Sequence, residues 1–217
     1  MAAEAAAQAG GGEMTVAVDN GAPATRTEPL YLRRELGSGT PDQTVTNRGS
    51  APVWRLVSIT GVPSADLPAE SKGYIVTRDV YRPDGTAADL RKARQTDLFV
   101  VVIKGTRTDP SQATQTLVVD LLPAGFEIET ATVSKGRSTT DYSWLPQVTE
   151  TSYTEARDDR FVAALDLNAG VKDFTLAYVV RAVTAGEFTY PALVVEDMYD
   201  PETTGRTAIG KLSVAPR

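Results

Sequence analysis

Residues 173–183 set the tightest limit on the fold. Phe174, Leu176, Tyr178 and Val180 share one face of an extended chain, and Thr175, Ala177, Val179 and Arg181 share the other. A period of two is the mark of a β-strand, because successive side chains point to opposite faces. Residues 98–103 form an unbroken apolar run, which predicts a central strand buried on both faces. Phe161, Ala163, Leu165 and Leu167 alternate again, and residues 114–122 read as a strand with Leu117 and Val119 on one face.

Shorter strands are expected at residues 14–18, 30–35, 44–47, 53–60, 73–82, 188–195 and 208–214. Turn signals separate them: Asp19-Asn20-Gly21, Asn47-Arg48-Gly49-Ser50, Pro83-Asp84-Gly85, Pro123-Ala124-Gly125 and Thr184-Ala185-Gly186-Glu187. The second predicts a hairpin joining residues 44–47 to 53–60. The last predicts that residues 188–195 return as the hairpin partner of 173–183. Residues 130–157 are the least regular portion, with a helical turn expected near 149–156. Ala2 to Gln8 reads as a short helix stub stopped by Gly10, Gly11 and Gly12. Pro63 and Pro68 cannot donate to a ladder, so the main boundary falls there. The expected division is 1–12 as stub or tail, 13–68 as a first β segment and 69–217 as a β-sandwich. The class is all-β, built from antiparallel strands.

Composition narrows the function. The 217 residues contain no cysteine and no histidine. That excludes disulfides, thiolate chemistry, cysteine-ligated zinc and a Ser-His-Asp triad, and it removes the commonest general base. A formal net charge of −6 disfavours nucleic acid and anionic membrane as partners. No apolar run reaches the length of a membrane helix. The first residues have no basic n-region and no Leu-rich core, so they do not read as a signal peptide. No cofactor or metal is expected, and no glycine-rich phosphate loop is present.

Three groups are weighed as sites. Asp158 and Asp159 with Glu155 form an acidic cluster, but Arg157 and Arg160 flank it, so local ion pairing accounts for it. Glu196, Asp197, Asp200 and Glu202 surround Met198 and Tyr199. A flexible, polarizable thioether beside an amphipathic ring suits a dry contact with another domain, and equally suits simple core packing. Trp54 and Trp144 lie in separate segments, which favours packing over sugar stacking.

Several segments together resemble a known family. Asp120-Leu121-Leu122-Pro123-Ala124-Gly125-Phe126-Glu127 resembles a run in the last macroglobulin-like domain of bacterial alpha-2-macroglobulins. So do residues 155–164 and 178–184, and Glu196-Asp197-Met198-Tyr199 with Pro201-Glu202 completes the order. Residues 45–53 and 61–63 look like strands that precede that domain. The resemblance implies a macroglobulin or Ig-like sandwich, preceded by the returning half of a CUB-like domain. It implies a large periplasmic or cell-envelope parent that entraps proteases after cleavage of a bait region. In such proteins a Cys–Gln thioester in an upstream helical domain bonds to the attacking protease. Lacking cysteine, this chain cannot carry that bond. By resemblance, Met198 and Tyr199 would cover it, making the thioester domain the direct partner and proteases partners through the parent. The alternatives are a free-standing Ig-like adhesion or ligand-binding module of the cell envelope and, more distantly, a carboxylate-dependent hydrolase using Asp158 or Asp159.

Overall fold

The computed structural model describes residues 13–35, 42–61, 65–130 and 142–217. The helix stub expected within residues 1–12 lies outside the described residues. The chain divides into two compact units, Met1–Val62 and Pro63–Arg217.

In the first unit β1 (Met14–Val18) pairs antiparallel with β2 (Ala24–Arg26) on one side and β3 (Val45–Asn47) on the other. Asp19 takes the left-handed φ of 51° that turns the chain out of β1. Its carboxylate then accepts from the Thr44 amide at 3.0 Å and from Arg34 at 2.7 Å. The adjacent residues Val16 and Ala17, on opposite faces of β1, are both buried. Two expected strands do not form. Residues 30–35 and 53–60 enter no ladder, and within the latter Leu56 is 94 % exposed. Apolar and β-branched content reports a segment's capacity to pair, but a ladder also needs an adjacent edge to supply the other half of each hydrogen bond. The predicted hairpin is replaced by a local turn. Asn47 donates from its side chain to the Ala51 carbonyl at 2.8 Å and accepts from the Gly49 amide at 2.9 Å.

The second unit begins with β4 (Glu70–Lys72) and β5 (Tyr74–Tyr81), followed by a single 3-10 turn at Leu90–Lys92. There follow β6 (Ala93–Arg94), β7 (Leu98–Arg107), β8 (Thr114–Leu121), β9 (Phe126–Thr130), β10 (Tyr153–Arg157) and β11 (Arg160–Leu167). The chain ends with β12 (Asp173–Ala182), β13 (Gly186–Tyr190), β14 (Leu193–Asp197), β15 (Thr204–Arg206) and β16 (Gly210–Ala215). Among the described residues these strands form three sheets, ordered β10-β11-β8-β14-β15-β4, β5-β7-β12-β9 and β13-β16-β6. All named pairs are antiparallel except β6 with β16. The class is therefore an antiparallel β-sandwich.

The core lies between the first two sheets. Phe99, Val101 and Ile103 of β7 and Phe174, Leu176, Tyr178 and Val180 of β12 meet Phe161, Ala163 and Leu165 of β11 and Leu193 and Val195 of β14. The run in β7 is buried on both faces, as its continuous apolar sequence predicts. Val100 and Val102 point away from the main core, with Ala177 and Val179, and Tyr142, Trp144, Leu145 and Val148 cover them. Trp144 also donates to the Pro83 carbonyl at 3.0 Å, which joins the Pro83-Asp84-Gly85 turn to that outer layer.

Two expectations fail here. Residues 188–195 are not the hairpin partner of β12; they split into β13, which pairs with β16, and β14, which pairs with β8 and β15. Both edges of β12 are already taken, by β7 and β9. The helical turn expected near 149–156 is extended and enters β10. Its residues exchange ladder bonds with β11, and tertiary pairing overrides weak helix propensity. In β8 Leu117 and Val119 share a half-buried face as expected, and the fully buried face is Thr116, Val118 and Asp120.

Candidate functional site

Met198 and Tyr199 stand on the loop that joins β14 to β15. Strand β14 alternates inward at Leu193, Val195 and Asp197, and its register places Asp197 opposite Thr116 of β8. The chain then turns. One Asp197 carboxylate oxygen accepts from the amides of Tyr199 at 2.9 Å and Asp200 at 3.3 Å. The Asp197 amide donates to the Thr203 carbonyl at 3.0 Å, and the Met198 amide reaches across to the Gln115 carbonyl at 2.8 Å. Asp200 accepts from the Thr203 hydroxyl at 2.7 Å. The acidic stretch around Met198 is thus spent in part on folding the loop itself, by local side-chain to backbone bonds.

Two glycines let the neighbouring strands approach. Gly73 has a φ of +106° and a Cβ there would sit 2.5 Å from the Thr203 methyl. A Cβ on Gly205 would run into the Tyr74 carbonyl oxygen and lie 2.9 Å from the Tyr74 Cβ. Tyr74 is fully buried, and its hydroxyl shares a hydrogen bond with Thr116 at 2.8 Å. Below the same end, the buried Arg107 donates to the carbonyls of Asn168 at 3.2 Å, Val171 at 2.9 Å and Gln112.

On this braced base the tip is open. Met198 is 41 % exposed and Tyr199 is 81 % exposed. Among the described residues the Tyr199 hydroxyl makes no hydrogen bond. The pair forms an apolar projection whose backbone is held and whose side chains are free to meet another surface.

The other candidates separate. Arg157 pairs with Glu155 at 2.8 Å and Arg160 with Asp159 at 2.6 Å, so two of the three carboxylates of the acidic cluster are paired along their own hairpin. Guanidinium bonds hold the Asp159 carboxyl below its ordinary range. Trp54 is 78 % exposed in the first unit, whereas Trp144 packs on Tyr81 with ring centroids 5.0 Å apart.

One constellation was missed by sequence reasoning. Asp120 is fully buried between the sheets, where it accepts from Arg78 and, at 2.6 Å, from the Tyr178 hydroxyl. Arg78 also donates to the Pro191 carbonyl at 2.8 Å and lies 3.7 Å from the centre of the Tyr190 ring. Burial pushes the Asp120 carboxyl above its ordinary range, against the pull of Arg78 and Tyr178. The group crosslinks β8 to β5 and β12 and faces core. Its one sequence signal is the polar residue two positions beyond Val118, on the same face.

Comparison with known proteins places the fold. The family model for the bacterial alpha-2-macroglobulin MG10 domain matches residues 73–202. The alpha-2-macroglobulin of Escherichia coli K12 is 37 % identical over 169 residues, covering 73 % of this chain and 10 % of that protein. That of Xylella fastidiosa strain Temecula1 is 31 % identical over 179 residues, covering 77 % of this chain and 10 % of that protein. Among solved structures, Salmonella alpha-2-macroglobulin reacted with methylamine superposes with a TM-score of 0.71 at 29 % identity, over 96 % of this chain and 14 % of that one. The native E. coli protein from domain MG7 to the C-terminus gives 0.60 at 30 % identity, over 72 % of this chain and 25 % of that one. The chain spans about a tenth of the length of the curated relatives it matches. It belongs to the bacterial alpha-2-macroglobulin family, the MG10 match running from the start of β5 through both facing sheets to the loop that carries Met198 and Tyr199.

Proposed function

We propose that this chain is the C-terminal portion of a protease-trapping alpha-2-macroglobulin, in which the Met198–Tyr199 tip packs on the thioester-bearing domain of the parent and keeps water and amines from the bond. The observation that carries this reading is the exposed apolar pair on a loop whose backbone is fixed to the sheet. A thioester is lost when water or an amine adds to its carbonyl carbon and the thiolate leaves. Apolar atoms over that carbonyl slow both reactions by excluding the nucleophile. Cleavage of the bait region would move the domains apart and uncover the bond to the bound protease.

On this reading the chain does no chemistry of its own. It contains neither of the side chains that would supply the thiol or an imidazole base. Residues 13–68 are proposed as the returning half of a CUB-like domain, whose remaining strands would pair with 53–60. The exposure of Trp54, Leu56, Val57 and Ile59 supports that assignment, because apolar residues on both faces of the segment suit a strand covered on each side. The proposed setting is the periplasm or cell envelope, through the parent.

The test is made in the full-length parent, numbered as here. Met198→Ala should speed methylamine incorporation by about threefold to tenfold, the effect of losing an apolar contact of roughly 0.6–1.4 kcal/mol. Tyr199→Ala should act in the same direction, with the melting midpoint of either variant unchanged. Amine reactivity equal to wild type in both variants defeats the shielding role.

A further inference from the structure

We infer that Asp197 is the positioning residue at the apex of the tip, its carboxylate setting where Tyr199 stands relative to the sheet. The inference rests on the shielding reading and names the device that makes a shield of an exposed loop. Asp197 occupies the third inward position of β14, after Leu193 and Val195. It is only 9 % exposed, although its residue type and its place at the strand end would both favour solvent. Strand register ties it to the sheet through Thr116. From that fixed point one carboxylate oxygen gathers the two consecutive amides of Tyr199 and Asp200. The Tyr199 backbone is therefore referenced to the core and not to its own exposed side chain.

The other contacts of the loop fix its flanks. The Met198 amide is held by Gln115 of β8, and Thr203 packs over Gly73 and returns a carbonyl to the Asp197 amide. None of these reaches the Tyr199–Asp200 amides. Loss of the carboxylate leaves the flanks in place and releases the apex alone. That matters for a shield, because a gap of about 0.5–1 Å already forfeits a quarter to a half of the contact attraction.

Asparagine keeps the acceptor oxygen and alanine removes it, so the two substitutions separate the hydrogen bonds from mere occupancy of the site. On the 217-residue chain, residue-resolved hydrogen exchange should show the Tyr199 and Asp200 amides exchanging about tenfold or more faster in Asp197→Ala, and within about twofold of wild type in Asp197→Asn. In the full-length parent, methylamine incorporation should rise in Asp197→Ala as it does in Tyr199→Ala, and stay near wild type in Asp197→Asn. Unchanged exchange in Asp197→Ala overturns the inference. Faster exchange with wild-type amine reactivity also overturns it, provided Tyr199→Ala reacts faster than wild type. If Tyr199→Ala keeps wild-type reactivity while Met198→Ala does not, the inference falls alone; if both keep wild-type reactivity, the shielding reading falls and takes the inference with it. Should Asp197→Ala not fold, Asp197→Asn still decides: faster exchange of the two amides in that variant overturns the inference.

Discussion

Asp120, Arg78, Tyr178 and Tyr190 make one buried polar cluster, and its chemistry shows best at high pH. Burial raises the Tyr178 phenol well above its ordinary value, and the adjacent Asp120 charge adds to this. Burial also pushes Tyr190 up to about 12, with the Arg78 cation opposing and Asp120 assisting. In the unfolded chain both phenols ionise near about 10. Between those values the folded state retains protons that the unfolded state has released. Their contribution to stability is therefore complete below pH 10 and is lost as the pH rises toward 12. Thermal melting of this chain should hold steady up to about pH 10 and fall steeply beyond it. Tyr190→Phe keeps a ring face beneath Arg78 and has no proton to lose, so the fall should be shallower. A titration of tyrosinate absorbance on the same samples checks which phenols resist ionisation. Beyond the spacing of Asp120 from Val118, none of this was legible in the sequence. Asp120 stands among Val118, Val119 and Leu121, and only the pairing of β8 with its neighbours shows which of those faces is inward.

At the level of elements, β8 holds the wider sheet together, flanked by β11 and β14. It supplies Thr116 and Asp120 to the interior and the Gln115 carbonyl to the tip. The strands themselves were readable, since alternation in β11 and β12 and the apolar run of β7 follow from period alone. Their partners were not. A turn signal after β12 reads as a hairpin, yet the chain crosses to another sheet, because β12 already has neighbours on both edges. The short strand β15 shows why small residues matter at such junctions. Gly205 lies against the backbone of Tyr74, and a methyl group there would meet the carbonyl oxygen of a residue that cannot move aside. Gly205→Ala is expected to cost about 1–3 kcal/mol, as overpacking at a closed site does. A lowered urea midpoint with an unchanged slope is the corresponding measurement. The same variant should disturb the tip, because β15 carries the far side of its loop.

At the scale of the whole chain, the first unit carries an apolar surface that the second does not match. Leu56, Val57, Ile59 and Trp54 are all well exposed there, and contiguous exposed apolar residues drive association. The 217-residue chain should self-associate with rising concentration. Replacing Leu56 and Ile59 together by Lys should return it to monomer without shifting the melting of the second unit, as sedimentation velocity and calorimetry can check. The sequence by itself determined the β class, the position of most strands in the second unit and the exclusion of thiol and imidazole chemistry, properties that depend on residue type and on spacing along the chain. Met198 with Tyr199 became the pair to examine through the family resemblance of Glu196-Asp197-Met198-Tyr199. Tertiary structure alone decided which strands pair, which face of β8 is buried, that Asp120 and Arg78 meet in the core, and that Asp197 braces the tip. Each of these depends on residues far apart in the chain being brought within hydrogen-bond reach, and periodicity contains no record of partners.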